Sequence, residues 1–187
     1  MKDLMTSILT MLVLTFAVGL IYPLAVTGIA QIVFPRQANG SLIVRDGIVV
    51  GSELIGQRFS SERYFHSRPS AAGSGYDAAA SGGSNLGPTS KKLIDRVTAD
   101  VQGISVHGPG SLIPADLLTT SASGLDPHIS PAAAEFQIAR VAKARNISEK
   151  EIGKLVERST HRRTLGLLGE PRVNVVMLNL ELDKIPQ

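Results

Sequence analysis

From Leu4 to Pro35 the chain carries no charged side chain, and Leu, Ile, Val and Ala dominate. About 20 apolar residues cross the hydrocarbon core of a bilayer, so the run predicts a transmembrane helix at about 7–29, within an N-terminal membrane anchor 1–35. Small residues at Gly28 and Ala30 would also suit a signal peptidase. The apolar run, however, far exceeds the roughly 7–15 residues of a signal core, which favours an uncleaved anchor. Pro23 lies inside the span; it lacks a backbone donor and crowds the carbonyl of Gly19, so a kink is expected there. Thr15, Gly19, Pro23 and Thr27 recur every fourth residue. They form a stripe of small or kinking side chains that predicts a face turned to a partner helix, where close approach and hydroxyl hydrogen bonds replace the hydrophobic effect.

Beyond the anchor the pattern changes from a continuous apolar run to short mixed segments. Ser41–Val44 and Ile48–Val50 flank Asp46-Gly47, which predicts a β-hairpin. Between Ser67 and Pro88, Ser, Gly, Ala and Asn dominate, and Leu86 is the only aliphatic larger than Ala, so a long loop is expected. Pro88 opens a predicted helix to about Gln102 with Leu93, Ile94, Val97 and Val101 on its buried face. A second helix is expected near Pro114, then a loop over Thr119–Ser130. Ser130-Pro131 caps and opens a third helix to about Arg145. Ser148 to Glu151 is a capping box, with Ile147 and Ile152 as its hydrophobic staple, starting a helix that ends near His161. The β-branched and aliphatic run Val173–Leu182 predicts a strand. Together these give an α+β fold: one transmembrane helix, then a mixed soluble domain over 36–187 with two long Gly/Ser-rich loops.

Charge changes the picture little. There are 19 Lys and Arg against 16 Asp and Glu, the basic residues are scattered, and there is no Trp. A basic stripe with interleaved aromatics is therefore missing, and nucleic acid is not an expected partner. The absence of Cys excludes disulfides, thiol catalysis and cysteine-ligated metal. Lys2 lies before the span and Arg36 and Arg45 after it, so charge leaves the orientation unassigned.

Three groups of residues carry candidate chemistry. Gly82, Gly83, Ser84, Asn85 and Gly87 have the glycine spacing of a phosphate-binding loop, but Pro88 stands where the phosphate-reaching lysine belongs. Asp126, Pro127 and His128, with Ser121, Ser123 and Ser130 nearby, carry the residue types of a hydrolytic triad without a Gly-x-Ser-x-Gly elbow. His66, His128, Asp77 and Asp126 show no tight metal-ligand spacing. Side chains of these kinds in such loops mostly hold turns together. Gln137 and Arg140, three apart on one helical face, are expected to meet solvent or a loop. No catalytic residue and no metal site are assigned.

The motifs Tyr22-Pro23-Leu24, Phe34-Pro35, Gln37 to Leu42, Gly51 to Gln57, Tyr64 to Ser70, Ala80 to Leu86, Ser121 to Asp126, Ile129-Ser130-Pro131, Arg140 to Arg145 and Asn174 to Lys184 resemble the C subunit of the Kdp potassium-transporting P-type ATPases. The likeness runs in order along nearly the whole chain. It implies an accessory subunit in the bacterial cytoplasmic (inner) membrane, its main domain extracytoplasmic. Its implied partners are a channel-like potassium-binding subunit, a P-type ATPase subunit and a small membrane subunit, with lipid around the span. It also implies a catalytic chaperone that raises the ATP affinity of the ATPase subunit, with gating or stabilisation of the potassium-binding subunit as the alternative. No cofactor of its own is expected, only ATP shared with that subunit, for which Gly82, Gly83, Ser84, Asn85 and Gln137 are the candidate contacts. His66, Arg68, Ser81, Ser121, Ser123 and Asp126 are the candidate loop and interface residues. The chain lacks the Asp-Lys-Thr-Gly phosphorylation motif of P-type pumps, in keeping with catalysis elsewhere.

Overall fold

A computed structural model describes residues 1–105 and 112–185, so positions 106–111 and 186–187 of the expected 36–187 domain lie outside the described residues. The chain divides into two units, Met1–Ser52 and Glu53–Gln187.

In the first unit, α1 (Lys2–Phe16) and α2 (Tyr22–Val33) flank a π turn at Ala17–Ile21 and together form one helix of 32 residues. It contains the expected span and is long and apolar enough to cross a bilayer. Proline removes one backbone donor, and the widened turn just before Pro23, with the Tyr22 N–H reaching the Ala17 carbonyl, accommodates that loss. A π turn takes more residues per turn than an α-helix, so four-residue spacing drifts the opposite way there and offsets the drift of the α-helical turns. Thr15 and Gly19 accordingly sit one above the other, a Cβ at Gly19 standing 3.9 Å from the Thr15 methyl.

Phe34 leaves helical geometry, and Pro35 starts the short α3 (Pro35–Ala38). The Asn39 amide returns to the Gln31 amide at 3.1 Å, fastening the turn. The hairpin follows as expected: β1 (Leu42–Arg45) pairs antiparallel with β2 (Ile48–Ser52), and Arg45 faces Ile48 across Asp46-Gly47. Both turn residues have positive φ, 52° and 77°, as the mirror-image turn demands.

The second unit has its core between three helices and a three-stranded sheet of order β3 (His128–Ile129), β5 (Arg172–Asn174) and β4 (Thr160–His161), both pairings antiparallel. The helices are α5 (Pro131–Arg145), α6 (Glu149–Arg158) and α7 (Val175–Leu182). Phe65, Val141, Ile152, Val173, Val175, Leu178 and Leu182 are fully buried among them. Caps mark the expected starts. Ser130 Oγ accepts the Ala133 N–H, Ser148 Oγ accepts the Glu151 N–H, and Asn146 ends α5 in the left-handed conformation.

Several sequence expectations are corrected. Val173–Leu182 is not one strand: β5 ends at Asn174, whose side chain accepts the Met177 N–H and opens α7. β3 and β4 offer only two residues of pairing each, whereas Val175, Leu178, Asn179 and Leu182 recur at helical spacing and are all buried. The helix expected from Pro88 is α4 (Lys91–Ser105), because Pro88 stays in a turn closed by Ser90 N–H on the Gly87 carbonyl. Its apolar face is only half covered and Ile94 is exposed; i, i+4 ion pairs Lys91–Asp95 and Arg96–Asp100 support the helix instead. Near Pro114 there is a single 3-10 turn, Ala115–Leu117, and the capping-box helix stops at Arg158 because Thr160 and His161 join the sheet.

Candidate functional site

Four consecutive residues, Arg63 to His66, run beside α5 and α7 without forming a strand. Side chains supply the missing ladder. Arg145 Nε donates to the Arg63 carbonyl at 2.7 Å, and Arg140 donates to the Tyr64 carbonyl at 2.9 Å. Asn179 accepts the Phe65 N–H at 2.9 Å and donates to its carbonyl at 3.0 Å. Gln137 does the same for His66, at 2.7 and 3.1 Å. Gln137 also donates to the Ala133 carbonyl and accepts from Arg140, so its two donor and two acceptor positions are all engaged. Both amides are buried, where an unpaired backbone group is costly. Arg145 is buried too: it pairs with Asp183 at 2.7 Å and lies over the Tyr64 ring. Burial lowers the pKa of Arg140, against which Glu62 works.

The chain then enters the two long loops, which brace one another. Arg68 donates to the Thr119 and Thr120 carbonyls and pairs with Asp126 at 3.3 Å. Ser70 Oγ donates to the Gly124 carbonyl, and Ser81 Oγ to that of Ser123. The Gly82 N–H is taken by the same Ser123 carbonyl, and the Gly56 N–H by Leu125. Tyr76 donates its hydroxyl to the Arg68 carbonyl, and burial raises its pKa. Gly124 has φ +67°, and a Cβ there would stand 2.7 Å from both Ala72 N and Gly82 O.

The candidate residues therefore divide. Arg68, Ser81, Ser123 and Asp126 belong to this bracing, whereas the Ser121 hydroxyl lies 3.5 Å from that of Ser123 in its own loop and the His66 ring sits on the Ser61 carbonyl. Asp126 holds His128: Oδ1 accepts the backbone N–H at 3.0 Å and faces Nδ1 at 3.3 Å. Ser130, the nearest serine in sequence, gives its N–H and its hydroxyl to Asp116 rather than to His128. Asp77 caps a 3-10 turn through the Ala79 N–H. Gly82 to Asn85 form a loop that no helix follows directly, Asn85 with φ 50°. Gln137 lines a separate cleft of about 490 Å³, shared with Arg58, His66, Arg68, Asp100 and Arg140. Asn179 and Arg145 were not singled out from sequence. A polar residue in the middle of the mostly apolar run Val173–Leu182, which also holds Asn174 and Glu181, was the available signal for the first.

Burial alone would raise the Asp126 carboxyl, but hydrogen bonds from the His128 ring and N–H, with the charges of His128 and Arg68, hold it below its ordinary value. A depressed carboxylate contributes stability that is complete above its unfolded value, about 4, and is lost as pH falls through the lower folded value. Asp126→Asn should therefore reduce stability at neutral pH, and the gap from the parent should close below about pH 4. Urea midpoints at neutral and acid pH check this; a gap that widened in acid would contradict it.

Residues 4–184 match the family model described as KdpC: K+-transporting ATPase, c chain. The chain is similar to the potassium-transporting ATPase KdpC subunit of Koribacter versatilis (strain Ellin345), 57% identical over 182 residues that cover 97% of this chain and 94% of the relative. It is 54% identical to the protein of that name from Bradyrhizobium diazoefficiens over 196 residues, 98% of each chain. With that of Acidobacterium capsulatum the identity is 55% over 185 residues, 99% of this chain and all of the relative.

Proposed function

The chain belongs to the KdpC family of K+-transporting ATPase subunits, and from that premise we propose that it is a non-catalytic accessory subunit. Its single span docks on the potassium-binding subunit, and its extracytoplasmic domain acts as a rigid module that gates or stabilises that subunit. The observation that carries this reading is the full engagement of Gln137. The side chain best placed to bind a ligand already holds His66 by both backbone groups. Arg68, Asp126 and the loop serines are likewise spent on holding loops in place. Such wiring supports a fixed shape for a partner to read, with bond-breaking chemistry in another subunit.

Within the membrane, Thr15, Gly19, Pro23 and Thr27 are the proposed docking stripe. Every side chain of α1 and α2 is exposed within this chain except Ala30, which is half-buried, so lipid or another helix must cover them. A Cβ at Gly19 would meet nothing closer than the Thr15 methyl at 3.9 Å, so bulk there costs the isolated helix little. Gly19→Leu is therefore expected to weaken co-purification with the other subunits while the chain itself stays folded, with Leu14→Ile, off the stripe, as control. Equal recovery of both variants in the complex would remove the stripe from the account.

The catalytic-chaperone role is a second reading, supported by the cleft that holds Gln137 together with Arg58, Arg68 and Arg140. Three guanidiniums suit an anionic ligand such as a nucleotide. Gly82, Gly83, Ser84 and Asn85, the other proposed nucleotide contacts, are not among the cleft's lining residues. An extracytoplasmic domain reaches a cytosolic ATP site only indirectly, through its membrane helix. Titration separates the readings. A weakened subunit contact that raises the pump's apparent KM for ATP supports the chaperone; one that changes only its potassium dependence supports the gating module.

A further inference from the structure

Between α6 and β5 the chain makes an excursion, residues 161–170, in which every residue is exposed. It is nonetheless a closed structure. Thr164 and Leu168 exchange backbone hydrogen bonds at 2.9 Å each way, and Arg163 clamps the base by pairing with both oxygens of Glu170 at 2.6 and 2.8 Å. Its tip carries Leu165, Leu167 and Leu168, which are 86%, 81% and 62% exposed. Leu165 has φ +54°, a conformation where turn chemistry favours Gly or Asn and where a large side chain is disfavoured. A strained leucine, held outward with two more beside it, stays largely exposed among the described residues.

The surroundings are basic. From Arg158 to Arg172 there are four arginines and one histidine against the single acid Glu170, which Arg163 already neutralises. Leucines at the apex with arginines behind them match an interface in which aliphatic side chains enter the acyl boundary and guanidiniums stay among anionic headgroups. Because the same chain carries its own apolar span, the tip always works at high effective concentration of lipid. The geometry points to Leu165, Leu167 and Leu168 as a second, shallow membrane contact: the tip inserts into the headgroup region of an anionic bilayer, with Arg162 and Arg172 on the phosphates. This goes beyond the accessory role and holds on either side of the membrane.

The test uses the full chain in vesicles of phosphatidylcholine with and without phosphatidylglycerol. There is no native cysteine, so Leu167→Cys carries a single environment-sensitive fluorophore. Lys150→Cys serves as control, exposed at the far end of α6, about 12 Å of helix away from its last turn. The expected result is a blue shift and several-fold stronger quenching by shallow spin-labelled lipid at 167 than at 150, diminished by salt or by omitting phosphatidylglycerol. Adding Leu165→Ser and Leu168→Ser should abolish the quenching, while the Arg163–Glu170 clamp keeps the excursion closed. A label at 167 that stays in water in both vesicles overturns the inference. So does one shielded only after the other subunits are added, which would make the tip a protein contact.

Discussion

Asn179→Leu should lower the stability of the domain by about 3 kcal/mol, because one near-isosteric change strands both the N–H and the carbonyl of buried Phe65. Each orphaned buried group costs roughly 1–3 kcal/mol, and the added apolar surface returns little at a site already packed. Gln137→Leu should act alike through His66, somewhat less, because His66 is only half-buried. With an ordinary urea slope for a small domain, 3 kcal/mol moves the midpoint by about 2 M. Ser121→Ala, whose hydroxyl has only a 3.5 Å contact with Ser123, is the control and should change little. A shift for Asn179→Leu no larger than that control would mean that water replaces the amide and that the four-residue clamp is not structural.

The second large effect concerns the two loops. Gly124→Ala puts a methyl 2.7 Å from Ala72 N and Gly82 O, both backbone atoms, at a φ of +67° that alanine itself disfavours. No side chain can swing aside, so the Ser121–Asp126 loop must move away from both neighbours. Overpacking and left-handed strain together imply a loss of about 3 kcal/mol. Hydrogen exchange adds a local signature. The amides of Gly82 and Gly56, which bond to Ser123 and Leu125, should lose protection while those in α5 keep theirs in proportion to global stability. Unchanged protection at Gly82 and Gly56 would show that the loops are not held through Gly124.

Where local chemistry decides, the sequence was a sufficient guide. The uncharged run, the Asp46-Gly47 turn and the Ser130 and Ser148 caps each announce themselves within a few residues. Val173–Leu182 failed because seven of its ten positions are apolar and three of those are valines, so a short strand and a buried helix give similar patterns. The capping Asn174 and the polar Asn179 were the features that separate the two. The bracing was less visible still. Pairs such as Phe65 with Asn179, or Arg63 with Arg145, stand far apart in sequence, and no local rule couples them. Gln137 and Arg140 on one helical face hinted at a loop contact, but not that the contact would replace a β-ladder.

In the proposed accessory role, catalysis lies outside this chain while depending on it. ATP turnover should therefore be measured, with and without potassium, for the isolated chain, for the assembled pump, and for the pump lacking this subunit. No steady turnover is expected from the chain alone, which has no phosphorylatable Asp-Lys-Thr-Gly motif and carries Pro88 where a phosphate-loop lysine would stand. Potassium-stimulated turnover is expected from the complete pump and should be lost when the subunit is omitted. Steady hydrolysis by the chain alone, or undiminished potassium-driven turnover without it, would contradict the accessory role.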